Sequence, residues 1–173
     1  MLFDVFDFEK LKHAAIHAMI MLLAITVQNQ LLAHVTLLGV RPMFIPALIV
    51  ATGLLEGGYR GGILGLFGGV FMDMAFHENT IMFTVLFPLI GVCSGLLAEN
   101  YVNIRFFSYM FVVLVGLSVT AVVQLFGLLV FYGANAVDLL ATAGLQVLWS
   151  MPIAAIIYFP YKALSKRIKP SRS

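Results

Sequence analysis

The chain has 173 residues, of which 62% are hydrophobic and only 10% charged, with a mean hydropathy of +1.04 and a formal net charge of +2. Soluble domains carry about 25% charged residues. This composition therefore excludes a soluble domain as the bulk of the chain and predicts an all-α, polytopic integral membrane protein, with residues 1–173 forming one transmembrane domain. The small positive balance does not point to nucleic acid, because the basic residues fall in short connections and in the C-terminal segment.

Residues 1–13 mix Phe3, Phe6, Phe8 and Leu11 with Asp4, Asp7, Glu9, Lys10 and Lys12, the pattern of a short amphipathic helix lying in the membrane interface. Lys10 and Lys12 precede an apolar run as in a signal peptide. That run continues to about Leu38 with no Ala-x-Ala site after it, so an uncleaved first span is expected. A bilayer core of about 30 Å needs about 20 helical residues, and six segments are expected to cross. The first covers about 14–36 and carries Gln28-Asn29-Gln30 near its far end. The second covers about 43–56, with Pro42 and Pro46 at its start, and the third about 61–77. The fourth covers about 80–98, where Pro88 predicts a kink. The fifth covers about 107–132. The sixth covers about 137–161 and includes Pro152, and residues 162–173 follow as a basic cytoplasmic tail. The second and third are short for a full crossing.

Charge sets the orientation. With both termini cytoplasmic, the inner segments hold Lys10, Lys12, Arg60, Arg105, Lys162, Lys166, Arg167, Lys169 and Arg172, and the outer segments hold only Arg41. Nine against one is a positive-inside distribution, and an odd number of spans would break it. The tail cations serve as topology determinants and could also touch anionic lipid.

Gly57, Gly61, Gly65 and Gly69 recur every four residues, with Gly58, Gly62 and Gly68 beside them, and Gly91 and Gly95 give the fourth span a matching pair. In water so many helical glycines would cost about 1 kcal/mol each relative to alanine. In lipid they let helix backbones approach closely, against helices of this chain or against a partner's transmembrane helix. Asp73 continues the row, and His77 lies one turn on. An intramembrane carboxylate is costly and needs a role: a hydrogen bond to His77, Gln124 or backbone, contact with a ligand or partner, or metal binding with Glu78 or His34 recruited. No spacing supplies the third and fourth ligands that a metal requires. Gln28, Asn29, Gln124 and Gln146 are further buried amides, able to join helices singly or, if they converge, to line a polar pocket. Cys93 reads as a small core residue. No phosphate-binding loop, zinc signature, nucleophile elbow or dinucleotide fingerprint is present, and Ser94, Ser108, Ser118 and Ser150 have no evident base. No catalytic, cofactor or metal site is expected.

The order of these features resembles the MreD family of bacterial rod shape-determining proteins. The resemblance rests on Gln28 or Gln30 near the end of the first span, Leu38-Gly39-Val40-Arg41-Pro42, the acidic–glycine turn Glu56-Gly57-Gly58, the glycine run from Gly61 to Asp73, the Gly91 and Gly95 pair, and the basic tail after six spans. It covers nearly the whole length, and its distinctive part is Pro42 to Asp73. Met43 stands where an aspartate often follows the proline, and His77-Glu78-Asn79-Thr80 replaces a glycine-containing turn. The resemblance implies a non-enzymatic scaffold of the cell-elongation machinery in the cytoplasmic membrane. Its partner would be an MreC-like single-span protein, with MreB, RodA and its transpeptidase reached indirectly. MreD-like proteins are also similar to the six-span substrate-binding subunits of energy-coupling-factor vitamin transporters. Under that alternative Ala14 and Ala18 would dock the coupling protein, and Asn29, His34, His77, Glu78 and Asn135 would line a small-molecule pocket.

Overall fold

Hydrophobic runs broken by glycine, proline and charge produce six helices among the described residues: α1 (Phe8–Gln30), α2 (Ile45–Glu56), α3 (Gly58–Ala75), α4 (Met82–Asn100), α5 (Phe106–Tyr132) and α6 (Ala136–Ile168). The computed structural model describes residues 8–30, 40, 42–75, 81–100, 106–132 and 136–168, and the elements among them are all helices. Two boundaries lie furthest from expectation. The segment from Phe8 to His13 continues into α1 as one helix, and α6 runs through Pro152 and Pro160 to Ile168, so the start of the basic tail is helical.

The six expected spans are not equivalent. Among the described residues, three stretches are by length and composition apolar and long enough to cross a membrane: Met82–Asn100, Phe106–Phe126 and Val137–Ser165. α1 supplies only the shorter apolar stretch Ala15–Gln28. α2 has 12 residues, about 18 Å at 1.5 Å per residue, which falls well short of a 30 Å core. Six of the 18 residues of α3 are glycine, and Arg60 and Asp73 stand within it, which lowers its hydropathy.

The short α2 is the centre of the bundle. Ile45 to Leu54 are all buried, and α2 packs against each of the other five helices. On one side lie α3 and α4, the most extensively paired helices. On the other lie α5 and α6, and α1 rests on α3 with a light contact to α2. The outward surface is apolar: Tyr59, Phe67, Met74, Phe107, Phe111, Phe126, Leu148, Ile156 and Phe159 are exposed, while Thr52, Ser94, Thr120 and Ser150 are buried. Apolar exposure of this extent exceeds what a soluble monomer shows and suits a surface that meets lipid. Cys93 belongs to that exposed surface and not to the core, because it stands on the face of α4 turned away from α3.

Candidate functional site

Burying α2 creates a problem of backbone accounting. The first amide groups of a helix have no intrahelical acceptor, and a bilayer offers no water to satisfy them. Side chains from two other helices do so here. Gln28 of α1 accepts from Phe44 N at 3.1 Å and from Ile45 N at 3.2 Å. Ser150 of α6 accepts from Met43 N at 2.9 Å, and its own hydroxyl donates to the Gln146 carbonyl at 2.7 Å. Pro46, in the first turn, has no amide hydrogen to satisfy. The expected amides meet at this end of α2. Gln124 and Gln146 both donate to the Met43 sulfur, at 3.6 Å and 3.9 Å, and the Gln28 amide donates to the Met72 sulfur at 3.7 Å.

Gln124 and Gln146 also line a cavity with Met43, Leu117, Thr120, Ala121 and Val147, about 10 Å³ in volume. That is space for about one water molecule, far below the roughly 300 Å³ at which small-molecule pockets begin. The Asn29 side chain, His34, His77, Glu78 and Asn135 lie outside the described residues. Among the described residues no group of three metal-ligating side chains occurs.

Asp73 performs the same capping for α4. Its Oδ1 accepts from Phe83 N at 3.0 Å, and its Oδ2 accepts from Thr84 N at 2.8 Å and from the Thr84 hydroxyl at 2.6 Å. Both amides lie in the first turn of α4, where a negative charge is favoured by the helix dipole. The carboxylate thus acts as an N-cap supplied by a neighbouring helix, and its partners are α4 backbone and Thr84 rather than Gln124.

The opposite end of α2 carries a buried carboxylate. Glu56, whose side chain is 2% exposed, receives donors from three other helices. His17 of α1 places Nε2 2.7 Å from Oε2. Arg60 of α3 reaches the same oxygen at 3.4 Å. Tyr161 of α6 donates to Oε1 at 2.9 Å, and its hydroxyl lies 2.8 Å from that of Thr52, which donates to the Leu48 carbonyl at 3.0 Å. One carboxylate therefore ties α1, α2, α3 and α6 together. His17 and Gln28, eleven residues apart, are about three full turns apart on α1, so one face of α1 is held by a polar contact at each end with Met21 and Ala24 buried between. In the sequence Glu56 reads only as part of a turn, and His17 and Tyr161 do not stand out. The available signal was an acidic residue closing an otherwise apolar run.

The glycine row lies between these two ends. A Cβ on Gly61 would stand 2.7 Å from Gly53 Cα and 2.8 Å from the Gly91 carbonyl oxygen, at a junction of α2, α3 and α4. A Cβ on Gly65 would stand 2.6 Å from Phe87 C, and one on Gly69 2.6 Å from Thr84 Cα. Gly91 and Gly95 meet the backbone of Gly61 and Gly58 in return. Gly68 faces the other way, onto Met21 of α1 and Ile45 and Ile49 of α2. Gly57 is set apart from this row. It occupies the turn between α2 and α3 with φ of 103°, a region that side chains rarely adopt, and a Cβ there would meet only Glu99, at 3.8 Å. Gly53 was not among the expected packing glycines, because a single glycine in an apolar run shows no period.

No family model, no curated protein and no solved structure matches the chain.

Proposed function

We propose that the protein is a non-enzymatic, MreD-like scaffold of the bacterial cytoplasmic membrane. In this reading it supports rod shape and lateral peptidoglycan synthesis by binding an MreC-like single-span protein, with MreB, RodA and the transpeptidase engaged indirectly. Six traverses with both termini cytoplasmic follow from the charge asymmetry, α2 being a short traverse enclosed by protein. Non-helical backbone at membrane depth is tolerated where protein satisfies it, and Gln28 and Ser150 do so for α2.

One observation carries the reading. The stretch from Pro42 to Asp73, on which the resemblance chiefly rests, is also the stretch that builds the centre of the bundle: the enclosed α2, the Glu56 hub, the Gly57 turn, the glycine seam and the Asp73 cap. Its polar groups are engaged in holding helices together, which gives a rigid body with apolar outer faces for helix–helix contact.

Affinity purification from membranes of the source bacterium tests the proposal. The tagged protein is expected to recover an MreC-like single-span protein, and its depletion is expected to turn rods into spheres. Tight vitamin binding by the purified protein, with no MreC-like protein recovered, would replace the scaffold with the transporter-subunit reading.

A further inference from the structure

We propose that the inner end of the α5–α6 seam binds the phosphate of an anionic phospholipid, with Lys162 as the cation that takes it. The proposal depends on membrane insertion with α6 ending inside, and not on the scaffold function.

The seam is built from aromatic side chains at the start of α5 and the end of α6. Phe106 stacks on Phe159 with ring centroids 5.8 Å apart and meets Tyr158 edge-on at 5.4 Å. Tyr158 lies 4.8 Å from the Tyr109 ring. Tyr158 is buried, whereas Phe107 and Phe159 are exposed at 83% and 66%, so the seam presents an apolar outer edge.

Lys162 sits over this cluster. Its ammonium is 5.1 Å from the centre of the Tyr158 ring and donates to the Tyr158 hydroxyl at 3.0 Å. An ammonium has three donors, so two remain for a ligand, and the contact with Tyr158 fixes where they are presented. Lys162 makes no ion pair among the described residues, in contrast to Arg60, which is paired with Glu56. A positioned cation without a carboxylate, beside exposed apolar rings at the cytoplasmic interface, is complementary to a lipid that combines a phosphate with acyl chains. Basic pockets between helices on that side of a membrane recognise such headgroups. The phosphate would contact Lys162, and the acyl chains would run along Phe159, Phe107 and Ile156, which is itself exposed.

Native mass spectrometry of the purified full chain, released from nanodiscs of phosphatidylglycerol mixed with phosphatidylcholine, tests this. The protein is expected to retain phosphatidylglycerol in preference. Lys162→Gln is expected to weaken retention about fivefold, the worth of one interfacial cation, and Lys162→Arg to restore it. Arg60→Gln is expected to leave it unchanged, since that guanidinium is already paired. Tyr158→Phe removes the hydroxyl that orients Lys162 and is expected to reduce retention in part, which decides the matter if Lys162→Gln does not fold. Equal retention of the two lipids, or full retention in both the Lys162→Gln and Tyr158→Phe proteins, would overturn the proposal. Displacement of the lipid by millimolar inorganic phosphate, with phosphate adducts on the protein, would reassign the site to free phosphate.

Discussion

On one side of α2, helices α3 and α4 meet it and each other through backbone; on the other, α5 and α6 meet it through side chains. Gly61, Gly65, Gly91 and Gly95 leave no atom between the α3 and α4 main chains beyond hydrogen. The α5–α6 side is filled by Phe106, Tyr109 and Tyr158, and the Tyr109 hydroxyl donates to the Ala154 carbonyl at 3.1 Å with that of Ala47 at 3.4 Å. The contrast teaches where the bundle can yield. A side chain displaced by a neighbour has other rotamers, whereas a backbone in contact with a backbone can only move as a whole helix.

The largest expected effect is therefore on the glycine seam. Gly65→Leu should force α3 off α4 and leave little folded protein in membranes, a loss of about 3 kcal/mol or more given that overpacking costs even where side chains can adjust. Gly144 of α6 has nothing within 4 Å of its missing Cβ, so Gly144→Leu should accumulate at the original level. Quantifying both variants in membrane fractions and by thermal unfolding in detergent tests the contrast, and similar losses for the two would abolish it.

Next comes the hub that joins the two sides. Glu56→Ala removes the acceptor that His17, Arg60 and Tyr161 share, which is expected to cost about 3–5 kcal/mol, as breaking a buried ion pair does. Glu56→Gln keeps an acceptor for Tyr161 and should lose about half as much. The ratio of the two in urea unfolding shows how much of the hub is hydrogen bond and how much is charge.

The Asp73 cap sharpens the comparison on the α3–α4 side alone. Asp73→Leu leaves the Phe83 and Thr84 amides without their acceptor and should cost about 2 kcal/mol, near the upper range for a lost N-cap. Asp73→Asn retains one oxygen of the two and should cost about 1 kcal/mol. Hydrogen exchange should locate the loss at the first turn of α4, and protection there equal to wild type in both variants would count against the cap.

The smallest effect belongs to the side-chain-packed half. Tyr109→Phe removes one hydroxyl and keeps the ring, for a loss of about 1 kcal/mol read as a small decrease in midpoint temperature. A loss as large as that of Gly65→Leu would mean that α5–α6 is as rigidly coupled as the glycine seam.

Composition and residue order are enough to read the material of the protein and the succession of its helices. Hydrophobic run lengths placed six helices close to their observed positions, and the glycine spacing and the lone Asp73 marked the third as special, because periodicity and composition are local properties that survive without coordinates. The sequence did not distinguish α2 from its neighbours: a mainly apolar run at the centre of a bundle and the same run in a membrane span read alike, since run length reports hydrophobicity and not what surrounds it. Nor could it assign partners to the polar groups. His17 and Tyr161 stand 39 and 105 residues from Glu56 in the chain, and Gln28 stands 16 and 17 from the amides it caps. Only the packing of α1, α3 and α6 around α2 brings those donors and acceptors together. The physical reason is that a helix fixes which residues share a face, while the angle and depth at which helices meet decide which faces touch.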